Sequence, residues 1–121
     1  MRIMKLRYLL LATLLVPAPA LSSDMDPRYR SIGDLGALNG TALQCKYLDQ
    51  TRRMKQAIIA TAPKERSFGL AFDQETHRSF LEFSAHGRSC PSPAEFEQTV
   101  GERIQSMQRA FAAHAGKAQG R

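Results

Sequence analysis

From Leu35 onward the apolar positions form a stripe. Leu35, Leu38, Ala42, Cys45 and Leu48 recur at steps of three and four, the spacing of one helix face. Ser31 is placed to cap this helix, with Asp34 favourable in its first turn. Beyond it, Asp49 and Thr51 either cap a new helix or lie within a continuing one. Met54, Ala57, Ile58 and Thr61 form the apolar side there, and Arg52, Arg53, Lys55 and Gln56 the wet side. Pro63 ends this helix, because proline drives the residue before it out of the helical region.

A third helix is read from Phe68, Ala71, Phe72, Glu75, Thr76, Ser79, Phe80 and Phe83. Its phenylalanines are the chain's largest apolar payload. A short strand over Phe80–Phe83 is the competing reading, but no partner strand is visible. The fourth helix has the clearest start. Ser92-Pro93-Ala94-Glu95 is a capping box with proline at the first helical position. Phe96, Val100, Ile104, Met107 and Phe111 then recur at helical steps to about His114, and Gly116 is the expected terminator. The pattern predicts an all-α bundle of about four helices over residues 32–116. A flexible leader over 21–31 and a disordered tail over 117–121 are expected to flank it.

Two features bear on how the helices meet. Gly36 and Gly40 lie four apart in the first helix, where each glycine costs about 1 kcal/mol relative to alanine. Either another backbone approaches closely there, or the helix begins only near Asn39 or Thr41. The second feature is the pair Cys45 and Cys90, the only two cysteines. In an exported chain they are expected to form one disulfide. It closes a loop of about 45 residues, for which chain entropy predicts roughly 4 kcal/mol.

Export is read from the N-terminus. Arg2, Lys5 and Arg7 precede an apolar run, Leu9 to Val16, and Ala18-Pro19-Ala20 supplies a cleavage pattern. Residues 1–20 are therefore expected to be a cleaved signal peptide, with cleavage after Ser22 as the alternative. The run is shorter than the roughly 20 residues of a permanent membrane span. The expected location is periplasmic or secreted. The chain carries +6 in total, but three of its basic residues belong to this segment, so the remainder carries +3. That is ordinary for solubility and gives no argument for nucleic acid.

Candidate chemistry is sparse. His77, His86 and His114 are well separated, none with a second ligand three or four residues away, so no metal site is expected. No G-x-S-x-G turn is present, and Glu95 and Glu97 are explained by the helix start. No cofactor and no enzymatic activity are expected. A small hydrolase or redox protein built around His86 and Cys90 is the remaining enzymatic alternative. Asn39-Gly40-Thr41 matches a glycosylation acceptor and is read as incidental. Lys46, Arg52, Arg53, Lys55, Lys64 and Arg66 cluster in sequence, opposed only by Asp49 and Glu65. They form either a solvated face or a patch for an anionic surface such as lipid, lipopolysaccharide or a cell-wall polymer.

With Cys45, Cys90 and the Phe96-to-Phe111 stripe in place, the layout resembles the small periplasmic acid-stress chaperones of the HdeA type. Those are signal-bearing, all-helical and stapled by one disulfide, with a final amphipathic helix soon after the second cysteine. The resemblance is one of architecture, and the basic chain, Gly36, Gly40 and the Pro91–Pro93 segment depart from it. No residue role is carried over. The expectation is an exported, non-enzymatic protein that binds another envelope protein as a chaperone, adaptor or inhibitor.

Overall fold

The computed structural model describes residues 25–119. The expected signal peptide, most of the expected leader and the last two residues lie outside them. Four helices account for the fold: α1 (Pro27–Gln44), α2 (Leu48–Thr61), α3 (Arg66–Ala85) and α4 (Pro93–Gln119). The all-α bundle is stapled by Cys45–Cys90, with S–S 2.07 Å and Cα–Cα 5.7 Å.

α1 is capped five residues before the expected Ser31. Asp26 is the cap: its Oδ1 accepts from the Arg28 backbone N–H at 2.9 Å, and Pro27 takes the first helical position. Ser31 is instead buried inside the helix, its Oγ donating to the Arg28 carbonyl. Part of the expected leader is thus helical. The reason is tertiary as well as local. Tyr29 stacks on Phe68 at 4.5 Å, and the Arg28 guanidinium lies over both Phe68 and Phe111. These polar-looking residues hold the first turn against α3 and α4.

The Asp26 cap carries its own pH signature. Hydrogen bonds from the Arg28 side chain, then from its backbone N–H, hold the carboxyl at about 2, below the ordinary 3.8. A carboxylate whose pKa is depressed on folding adds stability above its unfolded pKa and loses it as pH falls through the folded one. Asp26→Ala is therefore expected to cost about 1 kcal/mol at neutral pH. Thermal melts of parent and variant should converge as pH falls from 3.8 toward about 2. A gap that persists unchanged at the lower pH would show that the cap is not the cause.

The other boundaries follow their signals. Lys46 adopts φ +65° in the α1–α2 turn, and Ala62 is extended ahead of Pro63. Gly87 takes φ +57° just beyond α3. Ser92 caps α4, its Oγ accepting from the Glu95 N–H at 3.2 Å. Gly116 does not terminate α4, which continues to Gln119. One glycine's propensity cost, about 1 kcal/mol, does not stop a helix of this length.

α1 is the central element. It approaches each of the other three helices, α2 also approaches α4, and α3 brings its Cα atoms within 8 Å of α1 alone. α1 and α3 run parallel, since Gly36 faces Phe72 and Gly40 faces Ser79 and Phe80. A Cβ at Gly36 would lie 2.5 Å from the Phe72 carbonyl oxygen, and one at Gly40 would lie 2.6 Å from the Phe80 nitrogen. The glycine pair therefore marks a close backbone approach inside a helix that has already begun.

That seam is polar as well as tight. Ser79 Oγ donates to the Ala37 carbonyl at 2.6 Å. Gln44 Nε2 donates to the Phe80 carbonyl and to Ser84 Oγ. Asn39, only 2 % exposed, has both ends of its amide engaged. Its Nδ2 donates to Thr76 Oγ1 and its Oδ1 accepts from Thr51 Oγ1, which ties α2, α1 and α3 together. A side chain so enclosed is satisfied structure, and in the fold it offers no room for a glycan.

The apolar core lies mainly on the other side of α1 and at the α3 N-terminus. Ile32, Leu35, Met54, Phe68, Phe72, Phe96, Val100, Ile104 and Met107 are its larger members. The third-helix phenylalanines divide. Phe68 and Phe72 are buried, Phe83 is half-buried, and Phe80 is 37 % exposed. The second half of α3 rests on α1 through glycine, serine and glutamine, and α4 does not reach across to cover it.

Candidate functional site

α3 meets α4 only near its start, where Phe68 packs edge-on against Phe111 at 5.2 Å, so its C-terminal half and the N-terminal half of α4 stand apart. Between them is an open cleft of about 530 Å³. Leu38 and Thr41 of α1 form its floor, with Phe83 of α3 on one wall and Phe96 of α4 on the other. The same α4 wall carries Glu95, Gln98, Thr99 and Glu102, one to two turns apart. Arg88, Ser89 and Pro91 close one end from the α3–α4 connection.

The staple positions that connection. Cys90 is exposed and joined to half-buried Cys45 at the C-terminus of α1. Tyr47 adds a second tie, its hydroxyl donating to the Pro91 carbonyl at 2.6 Å while its ring packs 5.4 Å from Phe96. The rim is thus fixed by a covalent bond, a hydrogen bond and an aromatic contact. The result is a preformed concavity in which Leu38, Phe83 and Phe96 meet convergent polar groups, a make-up that suits a binding site. Arg88 supplies a cation, Glu95 and Glu102 supply acceptors, and Gln98 reaches Glu102 at 3.3 Å.

The basic residues singled out in the sequence are not gathered into one patch. Lys46 is in the α1–α2 turn, while Lys64 and Arg66 lie beyond the opposite end of α2. A helix of 14 residues spans about 21 Å, which separates the two ends. Arg53 has a structural task. Its Nη1 donates to Gln50 Oε1 and to the Glu97 carbonyl, each at 3.1 Å, and its Nη2 lies against Gly101. It bridges α2 to α4. Arg52 and Lys55 remain exposed on the outer face of α2.

His77, His86 and His114 are exposed and on different elements: mid-α3, the α3 C-cap and late α4. Among the described residues, no group of three or more His, Cys, Asp or Glu is placed to hold a metal ion. No described helix is long and apolar enough to cross a membrane. No family model, curated protein or solved structure matches the chain.

The cleft was not visible in the sequence as a site. Leu38 and Phe96 read as stripe residues and Arg88 as loop. One signal was available: the glycine pair, which pulls α3 toward α1 and so away from α4.

Proposed function

We propose that this chain is an exported, non-enzymatic binding domain that holds a segment of another envelope protein in the cleft between α3 and α4. It would act there as a chaperone, adaptor or inhibitor. The observation that carries the reading is the cleft itself, in which Leu38, Phe83 and Phe96 are set among polar side chains and left open because the C-terminal half of α3 packs on α1 and not on α4. Apolar anchors in a pocket with a polar rim are what peptide and helix recognition uses. The Cys45–Cys90 bond supports export, since structural disulfides persist in oxidising compartments.

The test is site-specific photocrosslinking in the producing cell. A photoreactive residue replacing Gln98 in the cleft should yield a discrete adduct with one envelope protein. The same residue replacing Gln108, exposed on the later half of α4, should not. Thr99→Arg, which fills the cleft wall with a bulky cation, should remove the adduct at position 98. Identical adducts from both positions, or an adduct indifferent to Thr99→Arg, would overturn the reading.

A further inference from the structure

A second surface, between α2 and α3, shares no lining residue with the cleft. A groove of about 200 Å³ runs there, lined by Lys55, Ile58, Ile59, Gly69, Phe72 and Asp73. Buried Met54 defines the inner side of α2, so Arg52, Lys55, Gln56 and Ile59 share the outer one. Ile59 is 73 % exposed, and half-buried Ile58 lines the groove beside it. Gly69 itself meets nothing within 4 Å, so the groove is open at that point.

A single exposed aliphatic residue on a protein surface is ordinary. Here the aliphatic positions have a setting. Arg52 and Lys55 precede Ile59 by two turns and one turn on its own helix face, Lys64 follows in the connection after α2, and Arg66 opens α3. All four are exposed, and none is in an ion pair among the described residues. Asp49, three residues before Arg52 on α2, with Glu65 and Asp73, are the nearby acids in sequence and groove, three against four cations. The surface is therefore aliphatic at its centre and net cationic at its edge. Lysine and arginine stems lie along apolar surface while their heads seek anions. That combination suits the boundary between phosphate headgroups and acyl chains.

We infer that this end of the molecule docks on an anionic phospholipid bilayer. Ile59 enters the headgroup–acyl boundary, and Arg52, Lys55, Lys64 and Arg66 meet lipid phosphates. The occupant is argued from charge complementarity around an exposed aliphatic knob. The inference does not depend on the cleft: a protein partner held there can fail while this contact stands, and the reverse.

The chain contains no tryptophan, so Ile59→Trp introduces a single fluorophore at the proposed point of entry. The full chain carrying it is mixed with vesicles of phosphatidylcholine, with or without phosphatidylglycerol, whose acyl chains are brominated. With phosphatidylglycerol the emission should move to the blue and be quenched. The quenching should be lost near 1 M salt, where the screening length falls to about 3 Å. Adding Arg52→Gln and Lys55→Gln should lower partitioning on the order of tenfold. Gln105→Trp, on exposed α4, should stay unquenched. This site-resolved comparison separates docking by this face from any contact made by the apolar N-terminal run. Three results overturn the inference: no quenching at position 59, equal quenching with neutral vesicles, or equal quenching at position 105. A blue shift at 59 that follows protein concentration without lipid assigns the face to a second copy of the chain, and overturns it as well.

Discussion

Replacing Gly40 by leucine is expected to lower the melting temperature by roughly 10–20 °C. The argument is steric. Even the first carbon of the new side chain would lie 2.6 Å from both the Phe80 nitrogen and the Ser79 Cβ. Those are atoms of a packed helix, so α3 must move. Overpacking of this kind costs about 3 kcal/mol at the upper part of its usual range. For a domain of this size each kcal/mol shifts the midpoint by about 4–8 °C. Gly36→Ala should act in the same direction but more weakly, because its clash with the Phe72 carbonyl is partly offset by alanine's helix propensity, about 1 kcal/mol. Gly69→Ala is the internal control. Nothing lies within 4 Å of its position, so it should gain about 0.5–1 kcal/mol from propensity alone. Melts of the three variants side by side decide the matter. A Gly40→Leu protein as stable as its parent would mean that α3 does not sit on this seam.

Cys90→Ser has an expected cost of about 4 kcal/mol, the chain-entropy value for a loop of this length. The sequence separation is 45. Against a total of roughly 5–15 kcal/mol for a typical domain, the variant is left close to its threshold at elevated temperature. The measurement is denaturant unfolding of parent and variant under oxidising conditions, with the reduced parent as a third arm. Reduced parent and Cys90→Ser should coincide. The staple also fixes Arg88, Ser89 and Pro91 at the end of the cleft, so the loss should reach function. Below the unfolding transition, the adduct from position 98 should weaken while the Ile59→Trp response to lipid is retained. If the variant unfolds at the same denaturant concentration as its oxidised parent, the bond contributes nothing and the rim must be held by Tyr47 alone.

Several sequence expectations met their residues directly. The Ser92 cap, the stop before Pro63 and the Cys45–Cys90 pairing all rest on interactions that span few residues or on there being only two partners. Others were misplaced for reasons that the packing supplies. The start of α1 was set at Ser31 because Arg28, Tyr29 and Arg30 look polar. In the fold Arg28 and Tyr29 cover the Phe68 ring. The third-helix phenylalanines looked like one buried face, yet Phe80 and Phe83 emerge where α4 falls away. Arg53 read as one more surface cation, and it is a bridge to the Glu97 carbonyl.

By itself, then, the sequence determined the local objects: four helices, most of their ends and the single covalent link. These depend on residues within about one helical turn of each other, or on a cysteine with one possible mate. Only the tertiary structure decided which helix lies on which. Gly36 and Gly40 allow a close approach but do not say by what, and a stripe of apolar residues does not name the helix that covers it. The placement of most of α3 along α1 settles that question, and it opens both the cleft beside α4 and the groove beside α2. Each is a space between elements far apart in the chain, and no local pattern encodes such a space.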